Sequence, residues 1–204
     1  MIYNDIFYST VSFDKFQIDP RELCAHLGGD LHISALQEYI DKYNNVAVYK
    51  YAYASVNISI DENNCSFDFT SVNSSSLSAV LKGSREAIIM AVSAGIDVDR
   101  LISRAHIQSE ADAFIFDAIA SAGIESFANY ITKQINEKYV ITNRFSPGYA
   151  DLPLEFQEEL LSRLNASKTV GISLTQDLLM IPTKSITAIM GIKSLKGCTD
   201  EQNL

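Results

Sequence analysis

Along the 204-residue chain, apolar positions fall into short alternating runs, short continuous runs and long helical stripes. Residues 1–20 mix polar and apolar side chains and predict no clear element. "IDPRELCAHLGG" reads as a short helix: Asp19 is a candidate N-cap, Pro20 suits the first turn, and Gly28-Gly29 stop it. Residues 31–43 place Leu31, Ala35, Leu36, Tyr39 and Ile40 at helical spacing. Residues 46–60 are rich in Val, Ile and Tyr with partial alternation, which predicts one or two strands. "DENN" at 61–64 predicts a turn and "CSFDFTSV" at 65–72 an alternating strand, so a β-hairpin is expected.

"SSSLSAVLKG" predicts a capped short helix closed by Gly83, and "REAIIMAVSAG" a buried strand entering a small-residue turn at Ser93-Ala94-Gly95. One helix is expected over 97–109 and a second, much longer one over 110–139. After "NRFSPGYAD", "LPLEFQEELLSRLN" predicts a further helix. Asp151 is its candidate cap, Pro153 lies in its first turn, and Phe156, Leu160, Leu161 and Leu164 form its apolar side. "KTVGISLTQ" reads as a connector and "LLMIPTKSITAIMGI" as a final strand or hairpin. The polar tail "KSLKGCTDEQNL" is expected to fray. The pattern predicts an α+β fold with a twisted, mainly antiparallel sheet, packed helices and an N-terminal helical part. Residues 1–75 are expected to form an N-terminal helical and β-hairpin part that is not independent, and residues 76–204 the main core.

On the long helix, Phe116, Ile119, Gly123, Phe127, Tyr130 and Ile131 form an apolar stripe. A second line runs Ala118, Ala122, Glu125, Asn129. Its alanines, with Gly123, leave a shallow floor from which one carboxylate rises. Either another backbone packs there or a flat ligand does. The loop that follows concentrates chemistry. Pro147 restrains Ser146, Gly148 permits positive φ and bares its backbone, Arg144 offers a planar fork for a carboxylate, and Tyr149 offers a flat face. The same "SPG" could equally be an ordinary turn.

Composition narrows the classes. With 47% hydrophobic residues the chain can bury a sizeable core. A net charge of −9 without a basic cluster argues against nucleic acid. Cys24, Cys65 and Cys198 are scattered, with no CxxC pair, and read as reduced thiols in a cytoplasmic protein. No signal peptide or membrane span is expected, and no metal site. His26, His32 and His106 are scattered and read as ordinary helix or loop residues, and no nucleophile–base arrangement is evident, so no catalytic residue is assigned.

Residues 144–192 resemble the activation (reactivation) domain of cobalamin-dependent methionine synthase. The family carries an Arg-x-x-x-Gly-Tyr loop, here Arg144 to Tyr149. A helix and a connector follow, here Lys168 to Gly171, and then Met-x-Pro and a serine-bearing strand, here Met180, Pro182 and Ser185. Upstream, "DAIASAGIESFANYI" is similar to the family's long helix, whose glutamate is Glu125 here. The clear resemblance covers about residues 111–192, and "IDPRELCAHLGG" is similar to the start of short, stand-alone members.

The resemblance implies S-adenosylmethionine binding through Glu125, Arg144, Ser146, Gly148 and Tyr149. Arg144 would take the carboxylate, Glu125 the ammonium or sulfonium, and backbone around Ser146 and Gly148 the adenine. Tyr149 would lie against the ligand or near the corrin face. It also implies a role in restoring oxidised cob(II)alamin to methylcobalamin. The cobalamin would be carried by a partner methionine synthase or other corrinoid protein, with an electron from a flavodoxin-type donor. The chain departs from the family in lacking tryptophan, with Ile181 between Met180 and Pro182 where long members often carry it, and in ending soon after the final strand. The family's N-terminal site aspartate has only Asp14 and Asp19 as candidates. Two alternatives stay open: a non-catalytic binding or scaffold module that kept the fold, and a binder of another nucleoside or small acid.

Overall fold

The computed structural model describes residues 2–3, 5–28 and 33–196. The expectations for Gly29, Leu31, His32, Cys198 and the end of the tail fall outside these residues. In chain order the elements are β1 (Ile2–Tyr3), β2 (Ile6–Val11), α1 (Pro20–Leu27), α2 (Gln37–Asn44), β3 (Tyr49–Asp61), β4 (Asn64–Phe67), β5 (Ser71–Asn73), α3 (Ser75–Leu81), β6 (Glu86–Ser93), α4 (Ile96–Gln108), α5 (Glu110–Lys138), β7 (Tyr139–Ile141), α6 (Phe156–Arg163), α7 (Ala166–Thr169), β8 (Ser173–Leu174), β9 (Met180–Ile181) and β10 (Ser185–Leu195).

The main sheet runs β1-β2-β3-β6-β10-β7, every pairing antiparallel, with β4 and β5 added on the far end of β3. β3 shows why it divides two cores. Its alternation sends Tyr49, Tyr51 and Tyr53 to one face and Ala52, Ala54, Val56 and Ile58 to the other. On the central strand β6, Ile88, Met90 and Val92 join the tyrosine face while Ala87, Ile89 and Ala91 join the alanine face. A strand covered on both sides reads as a continuous apolar run. Helices α1, α2, α4 and α5 contribute to the first core; α3, α6 and α7 contribute to the second. The result is an α+β architecture of an antiparallel sheet with packed helices, as the pattern predicts; the helices lie on both faces of the sheet. Strands from both sides of residue 75 share the main sheet, and β8 pairs with β9 in a separate two-stranded sheet.

Several helix borders follow local chemistry. The Asp19 carboxylate accepts from the Arg21 N–H, and Gly28 takes φ 78° just after α1. Ser74 caps α3 and Ser109 caps α5. The turn "DENN" joins β3 to β4 through Glu62 at φ 52°.

Other expectations are corrected. The N-terminal stretch, where the pattern predicts no clear element, forms a hairpin of β1 and β2. β2 pairs Phe7 with Tyr53 and Val11 with Tyr49 along one edge of the sheet. Apolar residues at both parities of "IFYSTV" hide that strand. The helix predicted from 31 begins only at Gln37, after a tighter turn over Ile33–Leu36. The strand predicted over 65–72 breaks at a turn closed by the Phe67 N–H and the Thr70 carbonyl, 2.7 Å apart. Asp151 does not cap α6, whose N-cap position, Glu155, makes no side-chain cap. It reaches α3 instead, accepting from the Ser74 and Ser75 hydroxyls and the Ser75 N–H, each at 2.7 Å. Finally, the small-residue floor of α5 is filled by the chain itself. Ala118 and Ala122 are buried, and a Cβ on Gly123 would lie 2.5 Å from the Tyr49 hydroxyl and 2.7 Å from that of Tyr43.

Candidate functional site

α5 passes without a connecting loop into β7, which doubles back beside it along the edge of β10. The lengths match. From Lys138 back to Glu125 the helix rises about 20 Å at 1.5 Å per residue. From Lys138 forward to Arg144 an extended chain covers about 20 Å at 3.3 Å per residue. The returning segment stays on β10 beyond β7. Gly191 N–H donates to Thr142 Oγ1 at 2.8 Å, and Phe145 exchanges N–H···O bonds of 2.9 and 2.8 Å with Ile189. Helix and returning strand thus form the two walls of a cleft of about 610 Å³, with Ile186 of β10 also lining it.

Glu125, Arg144, Ser146 and Tyr149 all line this cleft. The Arg144 Nη2 lies 3.0 Å from Glu125 Oε2 and 2.8 Å from Asn129 Oδ1. Among the described residues that line the cleft, Glu125 is the only acid and Arg144 the only base. The arginine side chain is 20% exposed and the glutamate 40%, so the pair is partly shielded from water. Tyr149 is 71% exposed; its ring meets Phe145 edge-on with centroids 6.2 Å apart. A planar donor fork, a carboxylate and an accessible aromatic face therefore converge on one open cavity.

The other two expected contributions take a different form. Gly148 is not on the cleft wall. Its φ of 82° turns the loop, and its N–H donates to the Leu152 carbonyl at 2.9 Å. The Ser146 carbonyl accepts from the Tyr149 N–H at 3.2 Å, and the Ser146 hydroxyl donates to the Thr187 carbonyl at 2.7 Å. These hydrogen bonds hold the loop's shape and engage the Gly148 N–H within it. Asp14 and Asp19 do not line the cleft; Asp19 is occupied with Arg21. His106 pairs with Glu110 at 3.0 Å where α4 meets α5.

The sequence reading missed most of the helical wall. Besides Glu125, it consists of Asn129, Thr132 and Asn136. Positions 125, 129, 132 and 136 are spaced by one helical turn each, and their shared polarity beside an apolar stripe is a signal the sequence carries. Thr142 and Asn143 complete the opposite wall. Behind the loop, Asp151 draws its tail onto α3, and the serine hydrogen bonds, that of Ser74 foremost, hold its carboxyl well below the usual carboxylate range.

Among the described residues no group of three or more His, Cys, Asp or Glu side chains could hold a metal ion. Among the same residues no helix is long and apolar enough to cross a membrane.

Comparison with curated protein sequences returns no match. Among solved structures, the chain is similar to one described as the crystal structure of the MetH reactivation domain bound to AdoHcy. The two share 13% sequence identity with a TM-score of 0.68, over 93% of this chain and 78% of that one. At this identity the likeness shows a shared fold. The family profile described as "Vitamin B12 dependent methionine synthase, activation domain" matches residues 59–194, from within β3 to near the end of β10. That match spans about two-thirds of the sequence and includes the long helix, the Arg144–Tyr149 loop and the final strand. The chain belongs to the vitamin B12-dependent methionine synthase activation-domain family.

Proposed function

We propose that the cleft between α5 and the Arg144–Tyr149 loop binds S-adenosylmethionine, and that the protein assists reductive methylation of cob(II)alamin carried on a separate corrinoid protein. The observation that carries this reading is the side-by-side placement of Glu125 and Arg144 in a cleft that the exposed Tyr149 also lines. S-Adenosylmethionine presents a carboxylate for the guanidinium, a cationic ammonium and sulfonium for the carboxylate, and flat surfaces for the tyrosine. The cleft volume of about 610 Å³ lies within the usual range for small-molecule sites. The family membership and the AdoHcy found in the structure of similar fold point to the same ligand class.

The chemistry asks little acid–base work of the protein. A methyl group leaves a sulfonium for a reduced cobalt, S-adenosylhomocysteine departs, and no proton moves. The protein's contribution is alignment of the donor and exclusion of water. An external electron donor, of the flavodoxin type, reduces the cobalt.

The Glu125–Arg144 pair also favours a second reading, since the two charges satisfy each other without a ligand. On that reading the protein is a non-catalytic scaffold of the same fold. Two measurements separate them. Calorimetric titration should show binding of S-adenosylmethionine that Arg144→Ala weakens. Reductive methylation of cob(II)alamin on a candidate corrinoid partner should proceed faster with the protein present. No binding and no acceleration would leave the scaffold.

A further inference from the structure

Asn129 lies one turn beyond Glu125 on α5, and its Oδ1 accepts from the same Arg144 nitrogen that Glu125 holds. The two protons of Nη2 are therefore aimed at two acceptors on one helix. The guanidinium is planar, so fixing Nη2 at both hydrogens fixes the plane of the whole fork. Its Nη1 and Nε sides then point in set directions. Arg144 is mostly enclosed, whereas Asn129 is exposed and carries no charge.

Resting on the proposed function, we infer that Asn129 is a positioning residue for Arg144 and sets the site's preference for ligands that bear a carboxylate. Two carboxylates around Nη2 would compete with an incoming ligand carboxylate for the single cation of the cleft. One carboxylate alone would leave the fork able to rotate about its contact. A neutral carboxamide as the second acceptor orients the fork and leaves its charge available on the other edge. Glu125 stays able to receive a ligand cation, because Asn129 keeps Arg144 in place when the Glu125 contact loosens. The polar helical wall is thereby divided in roles: Glu125 supplies charge and Asn129 supplies direction.

The experiment uses the whole chain and two measurements. The first is proton exchange at the Arg144 guanidinium, followed by NMR without ligand. Asn129→Ala is expected to speed exchange at Nη2, and Asn129→Asp to leave it as slow as in the wild type or slower. The second compares affinities for S-adenosylhomocysteine and for 5′-methylthioadenosine, which lacks the amino-acid end. Both variants should weaken S-adenosylhomocysteine by roughly five- to tenfold, the net worth of one ordinary hydrogen bond. Both should leave methylthioadenosine within about twofold. Unchanged exchange in Asn129→Ala, or equal losses for the two ligands, would overturn the inference while leaving the proposed function standing. A wild-type chain that binds neither nucleoside would overturn the proposed function and the carboxylate preference together, and the exchange measurement would still decide whether Asn129 holds the arginine.

Discussion

Arg144 and Glu125 meet at 3.0 Å because a helix and the strand that follows it cover the same distance in opposite directions. The contact therefore ties the ligand loop to the long helix. Partly exposed ion pairs of this kind contribute only about 0.2–1 kcal/mol to stability. A double-mutant cycle on Arg144→Ala and Glu125→Gln, read by chemical denaturation, should give a coupling energy in that small range. Affinity for S-adenosylhomocysteine should fall much further in Arg144→Lys, by roughly tenfold or more, because an ammonium cannot reproduce the planar fork. Equal effects on stability and on affinity would mark the pair as structural.

Gly123 faces the buried Tyr43–Tyr49 hydroxyl pair, whose oxygens are 2.5 Å apart. Gly123→Ala would gain helix propensity but drive a methyl into two hydroxyls enclosed by the first core. Overpacking of this kind costs about 1–3 kcal/mol, more than the roughly 1 kcal/mol that Ala gains over Gly in a helix. The variant should be destabilised in urea or guanidinium unfolding. A variant as stable as the wild type would mean that the tyrosines move aside at no cost.

Asp151 should produce an acid limb in stability. Its carboxyl is held below the usual range by the Ser74, Ser75 and Ser76 hydrogen bonds. A depressed folded-state value means that the ionised group favours folding. That contribution is complete above the unfolded value near 4, and it fades as pH falls below it. Asp151→Asn should lower the melting temperature at pH 7, and its difference from the wild type should shrink on acidification below about pH 4. A difference that stays constant from pH 7 to pH 3 would show that the serines do not favour the charged form. Because Asp151 closes the loop that carries Tyr149, the same variant should also bind ligand more weakly.

The two cysteines of the described residues should differ in reactivity. Cys65 is buried in the second core, and burial pushes its thiol pKa up, with Asp151 adding to the effect. Cys24 is half-buried on α1. Brief treatment with N-ethylmaleimide, followed by peptide mass spectrometry, should label Cys24 in the native protein and Cys65 only after denaturation. Rapid native labelling of Cys65 would point to opening of the β4–α3 region.

Much of this protein was legible in the order of its residues, and the reason is range. A helix stripe, a strand alternation, an N-cap such as Asp19 or a stop such as Gly28 depends on neighbours within about four positions. So α1, α3, α4, α5 and β6 lie close to where their patterns put them. The Arg-x-x-x-Gly-Tyr loop and the glutamate of the long helix were legible through the resemblance to the family, since short motifs of this kind survive in the sequence.

Tertiary structure decided what depends on partners far along the chain. Asp151 had donors both beside it in sequence and at α3, and folding chose the serines some 76 positions away. The small-residue face of α5 could have received a ligand or a side chain, and Tyr43 and Tyr49 took it because close packing leaves no such space in a core. β2 carried no clean period, since a strand near the margin of the sheet, with only Ile6 buried, leaves its other side chains free of a strict alternation. Periodicity along α5 told which residues share a face; only the antiparallel return of β7 beside that helix set Arg144 against Glu125 and Asn129, and so made a cleft of them.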